Sequence, residues 1–164
     1  MERKEIFLKN SPFAELNASD GSARIRIYTY RYEIPNATNK DDADWHMNYI
    51  TLFVNGVHAE IDDPIIDGKS LEKRLTDIIK LINLQSAEVD FSFMEPEFGF
   101  EIKNESLSTK DILIKGELID AKLNGSDVHI HFEFKCDLQH IQSFADGIRE
   151  ILEKYPSRYS LFSN

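Results

Sequence analysis

Two histidines and a glutamate stand at a spacing that can support metal chemistry. His129, His131 and Glu133 occupy alternate positions of residues 128–135, and alternate side chains of a strand project to the same side. Two imidazoles and a carboxylate on one side can bind a metal ion. The intervening positions are all apolar, so the three residues also form the polar face that a half-buried strand needs. Because short motifs of this kind are permissive, we interpret the set as that polar face and predict no metal-binding residue.

Other acidic residues cluster around a proline and in a polar loop. Glu95 and Glu97 flank Pro96, and a pair of carboxylates in a cleft can perform acid–base catalysis. Two glutamates around a proline are also typical of a turn, so we predict that they are exposed. Residues 36–44 form a loop with few apolar residues and no calcium-loop pattern, which predicts a solvated turn rather than a cation site. The acidic residues of this loop are Asp41, Asp42 and Asp44.

The usual catalytic motifs are absent from the sequence. It contains no glycine-rich phosphate loop, no Gly-x-Ser-x-Gly and no His-Glu-x-x-His. The single cysteine, Cys136, excludes an internal disulfide and is typical of a small buried hydrophobe. We therefore predict no catalytic residue, no cofactor-binding residue, no cofactor and no enzymatic activity.

The chain is acidic, with a formal net charge of −10 at pH 7. A phosphate backbone is attracted to Lys and Arg and repelled by an excess of Asp and Glu, so we predict no direct nucleic-acid partner. The acidic excess suits solubility and also docking to a basic protein. No apolar run reaches the length of a signal sequence or a membrane helix, which predicts a cytoplasmic protein without a membrane partner.

The length of 164 residues suits one domain with a substantial core. We predict a single domain over residues 1–164, in which residues 157–164 form a loosely held tail. Eleven phenylalanines and six tyrosines favour sheet surfaces. Together with the periodicity below, they predict an α+β fold in which an antiparallel sheet of about seven or eight strands packs with two amphipathic helices.

The clearest alternation of apolar and polar side chains lies in residues 87–103. Phe91 and Phe100 belong to its apolar positions, and Glu95-Pro96 interrupts it, so the pattern predicts a hairpin that reverses at the proline. We expect the apolar face of this hairpin to pack against the two helices. Gly116, inside a later strand, predicts a bulge or a close approach.

Turn and cap signals delimit the other elements. Asn55-Gly56 predicts a tight hairpin, Asp67 or Ser70 is placed to cap the first helix, and Asp137 the second. Helical spacing runs through residues 71–82 and 138–155. The remaining predicted strands are residues 5–9, 23–34, 45–54, 57–61, 111–119 and 128–135, with a turn at residues 123–126.

Three spaced motifs stand out in the middle of the chain. They are Asp44-Trp45 with Asn48 ahead of a strand, Asp63-Pro64 before a helix that contains Leu71, and Phe93-x-Glu95-Pro96-x-Phe98-x-Phe100. Together these motifs resemble the WapI-type immunity proteins, small bacterial proteins of polymorphic-toxin systems.

The resemblance implies a non-catalytic protein that binds and neutralises a cognate toxin, often a nuclease. An acidic immunity protein that meets a basic nuclease is physically sensible, because complementary charge speeds encounter. Two other functions stay open from the residues alone. One is a general interaction or regulatory domain, and the other is a small metal-dependent enzyme that uses the face of His129, His131 and Glu133.

Overall fold

The computed structural model of the protein describes residues 8–120 and 127–162, which form two four-stranded antiparallel sheets and three α-helices. Sheet A has the order β1 (Phe13–Asn17), β2 (Ala23–Tyr32), β3 (Trp45–Val54) and β4 (Val57–Asp67). Sheet B has the order β5 (Glu88–Ser92), β6 (Phe98–Lys103), β7 (Ile112–Asp120) and β8 (Val128–Cys136). The helices are α1 (Lys40–Ala43), α2 (Gly68–Ile82) and α3 (Leu138–Lys154), followed by a 3₁₀ turn (Tyr159–Phe162). The predicted α+β fold is confirmed, with its strands divided between two sheets.

In each half of the described chain an aspartate caps the longer helix that follows the fourth strand; the first half also has the short helix α1 between β2 and β3. Asp67 accepts a hydrogen bond from the backbone N–H of Ser70 at 2.8 Å, and Asp137 accepts one from the N–H of His140 at 3.1 Å. Each carboxylate satisfies an N–H group that the first helical turn leaves without an intrahelical partner. The predicted cap at Asp137 is confirmed, and Asp67 is the cap of α2. None of the helices in the described residues has the length and apolarity needed to cross a bilayer.

Sheet A follows the predicted alternation. Ile25 of β2 lies opposite Leu52 of β3, and both side chains are buried. The hairpin between β3 and β4 turns at Asn55 and Gly56, whose φ angles are +47° and +84°. A two-residue turn of this kind needs positive φ at both positions, which asparagine and glycine tolerate. The predicted hairpin is therefore confirmed.

Aromatic rings join sheet B to α3. The ring centroids of Phe91 and Phe100 lie 4.7 Å apart, and Phe144 of α3 lies 5.3 Å from Phe91 and 5.9 Å from Phe100. The central hairpin was predicted to pack against both long helices: its rings pack against α3, and Arg74 of α2 donates to the carbonyl of Ser92 in β5 at 2.9 Å. Gly116 of β7 passes so close that an added Cβ would lie 2.5 Å from the Cβ of Phe100 and 2.6 Å from the ring of Phe132. The predicted close approach at Gly116 is also confirmed.

Helix α3 follows sheet B in the chain but packs on the edge of sheet A. An added Cβ at Gly147 would lie 2.6 Å from the Cα of Ala14 in β1, so only glycine permits this distance. The turn after β1 also reaches sheet B, because the N–H of Ser19 donates to the carbonyl of Lys135 at 3.0 Å. The two halves therefore share one continuous set of buried hydrophobic side chains.

Strand β4 is longer than predicted. The sequence suggested an end before Asp62-Asp63-Pro64, but the strand continues to Asp67. Its register with β3 shifts by one residue between the pairs His46↔Ile66 and Asn48↔Asp63, and a bulge of this kind tolerates a proline. The buried side chain of Asn48 fills the gap: its Oδ1 accepts from the backbone N–H of Ile66 at 2.9 Å and lies 3.3 Å from that of Ile65.

Four other local features differ from the sequence prediction or fall outside the described residues. Strand β1 was not predicted. The strand expected at residues 5–9 lies mainly outside the described residues, and its described part, Leu8 and Lys9, is not a strand; the turn expected at 123–126 lies wholly outside them. The short helix α1 was also not predicted. Asn39 caps it, because its Oδ1 accepts from the N–H groups of Asp41 and Asp42, both at 3.0 Å.

We expect Phe91→Ala to lower the free energy of unfolding by about 3–5 kcal/mol, because the side chain is fully buried and its removal leaves a cavity between sheet B and α3. Urea denaturation monitored by circular dichroism measures this change. The matched control is Met94→Ala in the same hairpin loop, where the side chain is 81% exposed, and its change should stay within about 0.5 kcal/mol. Equal losses for the two variants would contradict the role assigned to Phe91.

Candidate interaction surface

The histidine pair lies on the exposed face of β8, at the edge of sheet B. His129, His131 and Glu133 are all exposed, and the apolar residues on either side of Glu133 point into the core. Nδ1 of His129 is 2.6 Å from Oε1 of Glu117 on β7, and Nε2 of His131 is 3.4 Å from the same oxygen. Within residues 8–120 and 127–162, no group of three or more His, Cys, Asp and Glu side chains is arranged to hold a metal ion. The interpretation of these residues as the polar face of a half-buried strand is confirmed.

Glu95 and Glu97 occupy a different environment from the one predicted. Both are half-buried rather than exposed, although Pro96 between them is exposed. They line a cleft of about 370 Å³ together with Glu33, Asp63 and the indole of Trp45. The prediction of a simple exposed turn is wrong, because the turn shares a cleft with the bulged part of β4. Four carboxylates around one concave surface give it a negative potential.

Trp45 also lines a second cleft, of about 290 Å³. Its lining includes Lys69 and Tyr159, whose ammonium nitrogen and ring centroid are 3.7 Å apart. Met94 also lines this cleft and is 81% exposed. We call the two clefts, which share Trp45, the Trp45 surface. It combines an acidic half with a half of mixed charge and an exposed apolar side chain.

The position of the acidic cleft follows from two backbone anchors. The N–H of Ile119 in β7 donates to the carbonyl of Glu97 at 2.7 Å, which fixes the end of the loop between β5 and β6. The N–H of Glu33 donates to the carbonyl of Trp45 at 2.9 Å, which brings the end of β2 alongside the start of β3. The cleft is therefore built by segments of both halves of the chain.

Asp44 is buried next to this surface, contrary to the prediction that it belongs to a solvated turn. Only 3% of the residue is exposed. Its Oδ2 accepts from the N–H of Lys69 at 2.7 Å and from the hydroxyl of Ser157 at 3.0 Å, and its Oδ1 accepts from the N–H of Arg158 at 2.6 Å. The N–H of Lys69 belongs to the first turn of α2, where negative charge is favoured by the unpaired N–H groups. The carboxylate thus joins α2 to the segment after α3.

Arg158 completes the junction. Its guanidinium donates to the carbonyls of Ala43 at 2.6 Å, Pro35 at 2.9 Å and Ile34 at 3.0 Å. The same group lies 3.7 Å from the ring centroid of Tyr32, a distance suited to a cation–π contact. The segment that begins at residue 157 therefore starts with several contacts to the loop between β2 and β3.

His46 is a buried histidine that the sequence did not single out. It is fully buried, and its ring lies 5.4 Å from that of Tyr32 and 6.2 Å from that of Tyr155. Burial lowers the pKa of His46 from its usual 6.5 to about 4, and the negative charges of Asp44 and Asp67 oppose this shift only in part. The imidazole is therefore neutral at pH 7.

The residues of the Trp45 surface were visible in the sequence only as separate motifs. Trp45, Asp63 and Glu95 belong to the three motifs that resemble a family. No sequence pattern distinguishes Glu33. A strand-end tryptophan beside a proline-flanked carboxylate is a weak signal. Their meeting in one cleft depends on the packing of sheet A against the β5–β6 loop, which residue spacing does not reveal.

We expect Asp44→Ala to lower the free energy of unfolding by about 3 kcal/mol, because three buried or half-buried donors lose their shared acceptor. Chemical denaturation measures the loss. Asp41→Ala removes the same charge from an exposed position on α1 and should change stability by no more than about 0.5 kcal/mol. If Asp44→Ala proves as stable as Asp41→Ala, the carboxylate does not hold the junction.

We also expect stability to fall with acid because of His46. Its pKa is about 4 in the folded state and 6.5 when unfolded, so the unfolded chain takes up the proton first as the pH falls. Stability from the neutral imidazole is complete above pH 6.5 and declines between about pH 6.5 and 4, by at most about 3 kcal/mol.

Urea denaturation of the wild type and of His46→Leu between pH 7.5 and 4 isolates this contribution. Other titrating groups are common to both proteins, so the difference in unfolding free energy should shift in favour of His46→Leu as the pH falls. A difference that does not change with pH would show that His46 titrates normally.

Comparison with known proteins identifies a family for this chain. The model of the immunity protein WapI-like family matches residues 15–156, which include every strand from β2 to β8 and helices α2 and α3. A search of curated proteins gives no significant match. The match covers well over half of the chain, and the chain therefore belongs to the WapI-like immunity protein family.

Proposed function

We propose that this protein binds a cognate toxin domain and neutralises it by binding alone. The observation that carries the proposal is the match to the WapI-like immunity family over residues 15–156. An immunity protein needs a surface that recognises one partner, and the Trp45 surface offers concave shape, an aromatic anchor and localised charge. Tryptophan is among the residues that contribute most to protein–protein binding energy.

We further propose that the toxin presents a basic surface, as a nuclease domain does. A protein that acts on phosphate backbones carries lysine and arginine at its substrate site. The net charge of −10 on this chain complements such a site, and complementary charge raises the rate of encounter and excludes wrong partners. Occlusion of the basic site by an acidic protein is sufficient for neutralisation. Since nucleases act on nucleic acid inside the cell, we place the encounter in the bacterial cytoplasm.

The test begins by reading the genes that neighbour this chain's own gene for one that encodes a large toxin-like protein. The C-terminal domain of that protein is then co-expressed with this chain in a bacterial host. We expect the toxin domain alone to stop growth and the wild-type protein to restore it, because the complex covers the toxin's working site. Colony counts and growth curves measure the rescue, and copurification of the two chains shows that they bind directly.

The control for this experiment is Phe91→Ala, a destabilised protein of the same charge whose core between sheet B and α3 is disrupted, tested at matched soluble expression. Reduced rescue by that variant would show that the folded surface acts rather than bulk charge. Growth arrest that persists with the wild-type protein, together with the absence of copurification, would refute the proposed function for this toxin.

A further inference from the structure

The acidic cleft of the Trp45 surface lacks a cation of its own. Glu33, Asp63, Glu95 and Glu97 contribute to its lining, and none of the described residues that line it is a lysine, arginine or histidine. The side chains of Glu33, Glu95 and Glu97 form no ion pair with another described residue. Like charges brought together without a counter-charge repel one another. A positive group that enters the cleft removes this repulsion.

One oxygen of the cleft is also without a donor. Oε2 of Glu97 is buried and makes no hydrogen bond within the described part of the chain. A carboxylate oxygen withdrawn from water without a donor is energetically costly. The nearby backbone does not satisfy it, although the carbonyl of the same residue is fixed by Ile119. The described part of the chain therefore leaves this oxygen free to accept a hydrogen bond from a group that enters the cleft.

We propose that the acidic cleft receives an arginine side chain from the toxin. The guanidinium is planar, so it can stack on the indole of Trp45 while its N–H groups donate to Glu95 and Glu97. A lysine supplies the charge but not the flat face or the fork of donors. This inference rests on the proposed function, since it names the chemistry by which the toxin would be recognised.

The second cleft differs from the first in the charges that line it. Lys40 and Lys69 line it together with Asp41, Asp44 and Asp67, so its carboxylates already have cations beside them, whereas no lysine, arginine or histidine is among the described residues that line the first cleft. Met94 also lines the second cleft, and most of its surface is exposed. A flexible apolar side chain beside a charged anchor is a common arrangement at protein interfaces. A toxin segment that places its arginine in the first cleft can therefore contact Met94 with a neighbouring apolar side chain.

The first experiment measures the affinity of the adjacent toxin domain, in an inactive form, by isothermal titration calorimetry. The Glu95→Gln/Glu97→Gln double variant should bind about tenfold more weakly or worse than the wild type, because a charge pair in a cleft loses one partner. The matched control is Glu133→Gln/Glu153→Gln, which removes the same charge from exposed positions on β8 and α3. We expect its affinity to fall by less than about twofold.

The second experiment does not need the toxin. Trp45 is the only tryptophan of the chain, so fluorescence excited at wavelengths that tyrosine does not absorb reports on this surface. A tri-arginine peptide should produce a saturable fluorescence change when it is titrated into the wild type or into the Glu133→Gln/Glu153→Gln control. Tri-lysine should produce a weaker change. The Glu95→Gln/Glu97→Gln variant should show no saturable change, and its unfolding curve, compared with the wild type, verifies that it is folded.

The two experiments separate the two proposals. Equal affinity of the toxin for the wild type and for Glu95→Gln/Glu97→Gln would overturn the assignment of the cleft and leave the proposed function intact. Equal weakening by both double variants would also overturn it, because bulk charge would then account for the effect. If the wild type does not bind the toxin but tri-arginine changes the fluorescence of Trp45 only when Glu95 and Glu97 are present, the proposed function fails and the proposal that the cleft binds arginine stands. If tri-arginine does not change the fluorescence of the wild type, the proposal that the cleft binds arginine is contradicted.

Discussion

The buried carboxylate of Asp44 is the interaction on which the arrangement around Trp45 depends. It accepts hydrogen bonds from the first turn of α2 and from two residues that follow α3, so one side chain holds three parts of the chain together. The approach is so close that an added Cβ at Gly68 would lie 2.9 Å from Oδ1 of Asp44 and from the Cα of Ser157. Because Trp45 is the next residue, the junction also fixes where the indole stands. Packing density leaves little freedom for such a site to relax.

A second polar residue shapes the opposite wall of the acidic cleft. Asn48 is fully buried, and its side chain bonds to Thr29 at 3.1 Å and to the backbone of β4 beyond the bulge. This amide supplies the acceptor that two N–H groups lose where the register shifts, so the strand passes Pro64 without an unpaired donor. Asp63 is thereby carried to the cleft. Asp44 and Asn48 hold neighbouring backbone segments in place, whereas Trp45 and Asp63 line the cleft.

The surface is built from both halves of the chain, and the core makes this possible. The rings of Phe91, Phe100 and Phe144 join sheet B to α3, and the glycine at 147 lets α3 lie against sheet A. A wall held in place on both sides loses little conformational freedom when a partner binds, which favours affinity. Charge acts at two distances in this protein. The acidic excess of the whole chain influences the encounter with a basic partner, whereas the carboxylates of the cleft act on a single side chain that lies next to them.

The sequence by itself determined the local structure wherever a short-range pattern carries a physical cause. Alternation marked β2, β3 and the central hairpin, Asn55-Gly56 marked a turn that needs positive φ, and Asp137 marked a helix start that lacks acceptors for its N–H groups. The close approach at Gly116 was also predictable, since a glycine inside a strand usually marks a bulge or a point where another segment comes close. These signals depend only on residues near one another in the chain.

Only the tertiary structure decided the environments of Asp44, Glu97 and His46. In each case the partners lie far away in sequence: Ser157 and Arg158 for Asp44, Trp45 and Glu33 for the cleft of Glu97, and Tyr155 for His46. An aspartate in a polar loop is usually solvated, and a glutamate beside a proline usually lies on a turn, so local reasoning assigned both to solvent. Whether a carboxylate or an imidazole is buried depends on which segments fold over it, and that is a property of long-range packing rather than of residue spacing.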